Sequence, residues 1–211
     1  MDGRNGVADL FSDAVDLNGV TIMPGHLDRR AQEAMLDDLR AVAKAAPFRQ
    51  YETPGGRQMS VRMTAAGARG WVTDRKGYRY AETSFDGSPW PDIPASVLTV
   101  WRQVSGVDRD PDSCLVNFYG EGARMGLHQD KDEADLHWPV VSISLGDDAL
   151  FRVGGVETPT PSKSRWLKSG DVAVIGGAAR LAWHGIDRIK FRSSDLLPEG
   201  GRVNVTLRMA G

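Results

Sequence analysis

The closing stretch Arg202-Val203-Asn204-Val205-Thr206-Leu207-Arg208 alternates polar and apolar side chains without a break. Residues two apart on a strand share a face, so the two arginines, Asn204 and Thr206 lie on one side and Val203, Val205 and Leu207 on the other. No amphipathic helix has this period. A polar strand face ordinarily meets solvent. This one also suits a pocket for a small dianion, because a guanidinium binds carboxylate through paired hydrogen bonds. The run Leu115-Val116-Asn117-Phe118-Tyr119 follows the same logic, with Asn117 and Tyr119 on one face and Val116 and Phe118 on the other.

Period two dominates from residue 114 onward, and strands are expected at 114–119, 140–145, 150–153, 164–167, 171–175, 181–184 and 202–208. Short strands broken by Gly and Pro turns predict a sandwich or jelly roll. Upstream, the first twenty residues are polar and expected to be partly loose, ending in a short strand near Val20-Thr21-Ile22-Met23. Leu27, Ala31, Met35, Leu39 and Val42 then recur at helical spacing, and Pro47 ends that helix. Residues 48–90 alternate strand-like pieces with turns at Thr53-Pro54-Gly55-Gly56, Ala65-Ala66-Gly67 and Lys76-Gly77. A second helix carries Ile93, Val97, Val100, Trp101 and Val104 on one face, with Gly106 at its end. The expected class is α+β, mainly β.

A chain of 211 residues supports one sizeable core and is short for two full domains. Its 41% hydrophobic and 26% charged residues are those of an ordinary soluble protein. No run reaches membrane-span length, and Met1-Asp2-Gly3-Arg4-Asn5 opens no signal peptide. The single cysteine, Cys114, excludes an internal disulfide and suits a reducing cytoplasm. It reads as a buried strand residue, since no histidine neighbours it to activate a thiolate. The net charge of −2 exerts no general pull on nucleic acid or membrane. Residues 49–79, however, carry seven basic side chains against Glu52 and Asp74, a local excess of +5. Such a patch attracts phosphate, and a solvated basic face is the alternative. Four aromatics, Tyr51, Trp71, Tyr78 and Tyr80, lie within or beside it.

The chemistry concentrates in His128-Gln129-Asp130-Lys131-Asp132-Glu133 and in Trp183-His184-Gly185. His-x-Asp with a distant His is the ligand set of the facial triad that holds non-haem Fe(II) with open positions. On a strand, His128 and Asp130 would share a face, and His184 would arrive from another strand across the barrel. His26 reads as a helix-start residue, and His137 is the competing ligand. Glu133 and Asp135 read as solvated, Trp90, Trp101 and Trp166 as packing residues, and Trp71 taken alone as lid core.

In order, Asn117-x-Tyr119, His128-Gln129-Asp130, Ser142-Ile143-Ser144-Leu145-Gly146, Gly170-Asp171, His184-Gly185-Ile186 and Arg202-x-Asn204-x-Thr206-x-Arg208 resemble the AlkB family of Fe(II)/2-oxoglutarate dioxygenases, its bacterial alkylation-repair branch most of all. The likeness extends upstream through Pro47-Phe48-Arg49-Gln50, Thr53-Pro54-Gly55-Gly56, Met59-Ser60-Val61, Gly70-Trp71 and Gly77-Tyr78-x-Tyr80. It implies a single dioxygenase domain over 1–211. A double-stranded β-helix from about 114 to 208 would lie beneath N-terminal helices and a nucleotide-recognition lid at about 47–90. It implies Fe(II) on His128, Asp130 and His184, with 2-oxoglutarate and O2 as cosubstrates. Arg202, helped by Tyr119 and Asn204, would pair with the distal carboxylate, Arg208 would lie near the C1 carboxylate and Asp130, and Asn117 would complete the site. A flipped base would stack between Trp71 and His128, with Asp132 accepting from its exocyclic amine and Met63 beside it. Thr53, Tyr78 and basic lid residues would touch phosphate.

The implied activity is demethylation of 1-methyladenine and 3-methylcytosine in single-stranded DNA or RNA, without a membrane or obligate protein partner. Glu157 and Thr158 depart from the pattern where a basic residue is expected, and Val203 and Leu207 stand where relatives often carry aromatics. Two rivals remain: the same chemistry on a tRNA base, protein side chain or small molecule, and a non-catalytic nucleic-acid-binding module.

Overall fold

The computed structural model describes residues 13–211; most of the polar N-terminal stretch lies outside the described residues. The end of that stretch is ordered as strand β1 (Val15–Leu17), paired with β2 (Val20–Met23). Asn18-Gly19 joins them with φ of 52° and 83°. Positive φ at both central residues matches the right-handed twist of a two-residue hairpin, and Asn-Gly tolerates it best.

Helix α1 (Arg29–Ala45) begins where Asp28 accepts the Ala31 amide at 2.8 Å, a cap that contributes about 1 kcal/mol. It ends before Pro47. Strands β3 (Arg49–Glu52) and β4 (Gln58–Gly67) follow, then the separate hairpin β5 (Gly70–Asp74) and β6 (Gly77–Ala81), and helix α2 (Ala95–Val104). The remaining strands are β7 (Ser113–Tyr119), β8 (Met125–His128), β9 (Val140–Gly146), β10 (Asp148–Val153), β11 (Lys163–Leu167), β12 (Val172–Ile175), β13 (His184–Lys190) and β14 (Arg202–Arg208), with a 3-10 turn at Gly177–Ala179.

Eight strands form one antiparallel sheet in the order β1-β2-β12-β9-β14-β7-β4-β3, and four form a second in the order β11-β10-β13-β8. Both faces of the large sheet are covered. Met35, Leu36, Leu39 and Val42 of α1 and Val97, Val100, Trp101 and Val104 of α2 pack on one face, against Val141, Ile143, Val205 and Leu207. Each such side chain contributes roughly 1.5–3 kcal/mol on burial. The other face meets the small sheet through Leu115, Val140, Phe151, Val153, Leu167, Ile175 and Ile186. All seven residues of β14 are therefore buried, and its polar face looks into the space between sheets rather than into water.

Three expectations are corrected. The strand expected at 181–184 starts at His184 and runs to Lys190. Leu181 and Ala182 sit instead in a turn closed by the Ala182 amide on the Ala179 carbonyl at 2.8 Å. The charged run Asp187-Arg188 hid the true strand because its outer face is exposed. Trp166 is 37% exposed on edge strand β11, under the Arg188 guanidinium at 5.7 Å, so it is not an interior packing residue. His128 ends β8, and Asp130 lies beyond any strand, so strand pleating does not explain their convergence.

Two features aim the site strands. A β-carbon on Gly185 would lie 2.6 Å from the Met125 carbonyl oxygen and 2.7 Å from that of Gly126, so only glycine lets β13 close on β8. The buried Asp147 carboxylate accepts the amides of Arg192, Ser194 and Gly201 at 2.8, 3.0 and 2.6 Å, anchoring the loop that enters β14.

Candidate active site

His184 stands opposite His128 in the β13–β8 pairing, so the second histidine comes from the adjacent strand, not from across the barrel. The ring centroids are 4.6 Å apart. His128 Nδ1 lies 2.9 Å from the Gly126 carbonyl, and His184 Nδ1 lies 2.9 Å from the Ala182 carbonyl. A carbonyl only accepts, so each Nδ1 carries a proton, and Nε2 is the ring atom left to ligate a metal. Those Nε2 atoms lie 3.7 and 3.8 Å from the Asp130 carboxylate oxygens. One ligand atom from each of the three residues falls within 4.8 Å of the others. Burial lowers the His184 pKa to about 4, against the opposing pull of Asp130, so the ring is neutral at pH 7. Burial would raise the Asp130 carboxyl, but the Arg208 charge holds it well below the usual carboxylate range. Two imidazoles and one carboxylate are the donor set of a facial Fe(II) triad.

Arg208 binds Asp130 Oδ2 through Nη2 at 2.7 Å and Nε at 3.1 Å. Arg202 is 1% exposed, with its guanidinium 5.3 Å from the Tyr119 ring, and donates from Nη2 to Ser144 Oγ at 3.0 Å. Its Nε and Nη1, with Nη1 of Arg208 and Oδ1 of Asn117, are buried without a hydrogen-bond partner among the described residues. Unpaired buried donors on a cation are costly. Two guanidiniums aimed into one cavity fit the two carboxylates of a dianion such as 2-oxoglutarate. Asn117 Nδ2 reaches Asn204 Oδ1 at 3.4 Å, and Asn204 is held by Ser142 Oγ at 2.8 Å and the Ile143 carbonyl at 3.0 Å.

These groups line a cavity of about 460 Å³ shared with Met63, Trp71, Tyr78 and Asp132. Trp71 stacks on Tyr78 at 5.5 Å and 18°, and its Nε1 donates to Asp132 Oδ2 at 2.8 Å. Met63 is buried, whereas Tyr78 is 49% exposed. Thr53 is not brought into the cavity; it lies in the β3–β4 turn, where its hydroxyl accepts the Arg57 amide at 3.2 Å. His137 is exposed and pairs with Asp135 at 3.1 Å, away from the cavity lining.

Glu133 corrects the expectation of a solvated acid. It is buried, accepts from Tyr80 at 2.7 Å, and pairs with Arg180 at 3.1 Å and Arg208 at 3.2 Å. Within Asp130-Lys131-Asp132-Glu133 it looks like one more acid of a polar loop, and its partners lie 47 to 75 residues away. Gln129 was also unforeseen: it ties the loop to the carbonyls of Val156 and Leu181 at 2.9 and 2.6 Å.

The fold, the His128, Asp130 and His184 cluster and the two buried arginines beside it fit a 2-oxoglutarate-dependent Fe(II) oxygenase, and the model of the 2OG-Fe(II) oxygenase superfamily matches residues 19–208. An alpha-ketoglutarate-dependent dioxygenase AlkB homolog of Caulobacter vibrioides is 53% identical over 91% of this chain and 88% of its own length. The alpha-ketoglutarate-dependent dioxygenase AlkB of Escherichia coli is 42% identical over 96% and 98%. The solved structure of OsALKBH1 superposes with a TM-score of 0.76 at 30% identity, covering 92% of this chain and 98% of that one. The chain belongs to the AlkB family of this superfamily, with Fe(II) as its metal and 2-oxoglutarate and O2 as cosubstrates.

Proposed function

We propose that this enzyme oxidatively demethylates N-alkylated nucleobases, 1-methyladenine and 3-methylcytosine, in single-stranded DNA or RNA, reversing alkylation damage directly. One observation carries the reading: an aromatic platform, Trp71, hydrogen-bonded to a carboxylate, Asp132, in the same cavity as the His128–Asp130–His184 cluster. A base must leave its stack to reach such a cluster, and a π-face beside an acceptor suits a purine or pyrimidine with an exocyclic amine. A cationic methylated base is drawn further by the Asp132 charge and by the Trp71 ring face. The basic stretch 49–79 favours a phosphate-bearing substrate.

His128, Asp130 and His184 hold the iron in this reading. Arg202, with Tyr119 and Asn204, takes the distal carboxylate of 2-oxoglutarate, and Arg208 with Asn117 the C1 end. Iron held there would supply the chemistry by which O2 oxidises two substrates, one oxygen atom going to 2-oxoglutarate as it becomes succinate and CO2 and the other to the N-methyl group; the resulting N-hydroxymethyl group would release formaldehyde and leave the unmodified base. Trp71 and His128 orient the base, Met63 packs beside it, and Asp132 selects its amine edge. Tyr78 and Thr53, nearer the surface, meet phosphate. Residues 47–90 act as the recognition lid of a single dioxygenase domain whose core is about 114–208. No helix among the described residues is long and apolar enough to cross a membrane.

The test is a single-stranded oligonucleotide bearing one 1-methyladenine, incubated with Fe(II), 2-oxoglutarate and ascorbate and then weighed. Loss of one methyl's mass that requires 2-oxoglutarate and vanishes in His128→Ala is the expected result. Succinate formation without that loss would move the substrate to another class. Full activity in His128→Ala would sink the metal assignment.

A further inference from the structure

Asp130 lies on no strand, so the side chains around it must set its position. The segment 129–139, between β8 and β9, wraps around one buried guanidinium. Arg180 donates from Nη1 to the Asp130 carbonyl and from Nε to the Trp138 carbonyl, both at 2.7 Å, which pins the segment near its two ends. Its Nη2 meets Glu133 Oε2 at 3.1 Å, and both side chains are almost fully buried, at 6% and 2% exposure. A buried ion pair is retained only where further hydrogen bonds satisfy both partners, and these do.

The other Glu133 oxygen faces two different parts of the molecule. Oε1 lies 3.2 Å from Nε of Arg208, whose Nη2 binds Asp130, and it accepts the Tyr80 hydroxyl at 2.7 Å. Tyr80 sits on β6, directly across from Trp71 on β5. The hairpin therefore touches two consecutive acids, Asp132 through Trp71 and Glu133 through Tyr80. The first contact is exposed and the second is partly buried.

We propose that Glu133 is a positioning residue: clamped by Arg180, it orients the Arg208 guanidinium against Asp130, and through the Tyr80 hydroxyl it makes the seating of the β5–β6 hairpin felt at the cosubstrate site. The inference rests on the reading of Arg208 as a 2-oxoglutarate ligand. Its consequence is thermodynamic. Nucleic acid that seats the hairpin through Trp71 tightens 2-oxoglutarate, and 2-oxoglutarate tightens nucleic acid by the same factor. Removing the hydroxyl at residue 80 cuts that link while the ring stays in its packing.

The experiment titrates 2-oxoglutarate into the anaerobic Fe(II) protein, following the visible charge-transfer absorbance, with and without a saturating single-stranded oligonucleotide bearing one 1-methyladenine. In the parent protein the oligonucleotide lowers the 2-oxoglutarate Kd by about fivefold or more, in the usual range of site-to-site coupling. Tyr80→Phe brings that ratio close to one and leaves the oligonucleotide-free Kd nearly unchanged. Glu133→Gln, which keeps shape and loses charge, raises the oligonucleotide-free Kd by about tenfold, as for other residues that orient metal ligands. A merely structural Glu133 would lower Tm with no change in Kd. That result, a parental ratio of one, or a Tyr80→Phe ratio equal to the parental one overturns the proposal. Absence of any absorbance change on adding 2-oxoglutarate to the parent protein instead overturns the cosubstrate reading beneath it.

Discussion

Arg202 is almost fully buried, stacked against Tyr119, and short of two hydrogen-bond partners. Burial alone pulls its pKa down, with Tyr119 opposing. Such a residue weakens the cosubstrate-free protein and is retained for what it binds. Arg202→Met, of similar length and without charge, is accordingly expected to leave the cosubstrate-free Tm unchanged or raise it by a few degrees, while 2-oxoglutarate binding weakens by two orders of magnitude or more. Thermal melts and anaerobic titration check both halves, and a sharp fall in Tm would contradict this account. The alternation Arg202-x-Asn204-x-Thr206-x-Arg208 placed these side chains on one face from the sequence alone. Glu133 escaped the same reading because an acid in a polar loop carries no periodic signature. Its distant partners Arg180, drawn in from the turn before His184, Arg208 and Tyr80 separate it from the exposed Asp135.

At the level of elements, β14 shows why period two outlasted the usual inference about it. Its apolar face meets the two helices and its polar face meets the cavity, so neither is wet. Helix α1 was legible through Met35, Leu39 and Val42, all buried, because a surface helix must bury one stripe. Strand β13 was misplaced because its outward half, Asp187-Arg188, reads as loop. The contact between β13 and β8 depends on Gly185, where a side chain would strike two backbone carbonyls. Gly185→Ala should therefore separate His184 from His128, lowering Fe(II) affinity at least tenfold in metal titrations while far-UV circular dichroism stays close to the parent's. Unchanged metal affinity would show that the strands can spread without cost to the triad.

For the molecule as a whole, metal and cosubstrate belong to stability as well as to catalysis. Ligands that bind only the folded chain stabilise it by RT ln(1 + [L]/Kd), about 2.7 kcal/mol at a hundredfold excess over Kd. Anaerobic melts with Fe(II) and 2-oxoglutarate should show Tm several degrees above the chelator-treated protein, with succinate giving a smaller shift. Equal melting points would argue that the triad and the arginines do not share a ligand. The sequence by itself determined both helices, most strands of the β-rich half, the His128, Asp130 and His184 set as candidate ligands, and the arginine-bearing face. Each of these is written in local periodicity, or in a set of residue types for which chemistry has few other uses. Only the tertiary structure decided that His184 lies beside His128 rather than across from it. It also decided that Asp130 is held from a loop, that Trp166 is exposed, and that Glu133 is buried between Arg180, Arg208 and Tyr80. These depend on which distant segments meet, and a buried charge is tolerated only where such a meeting supplies its partners.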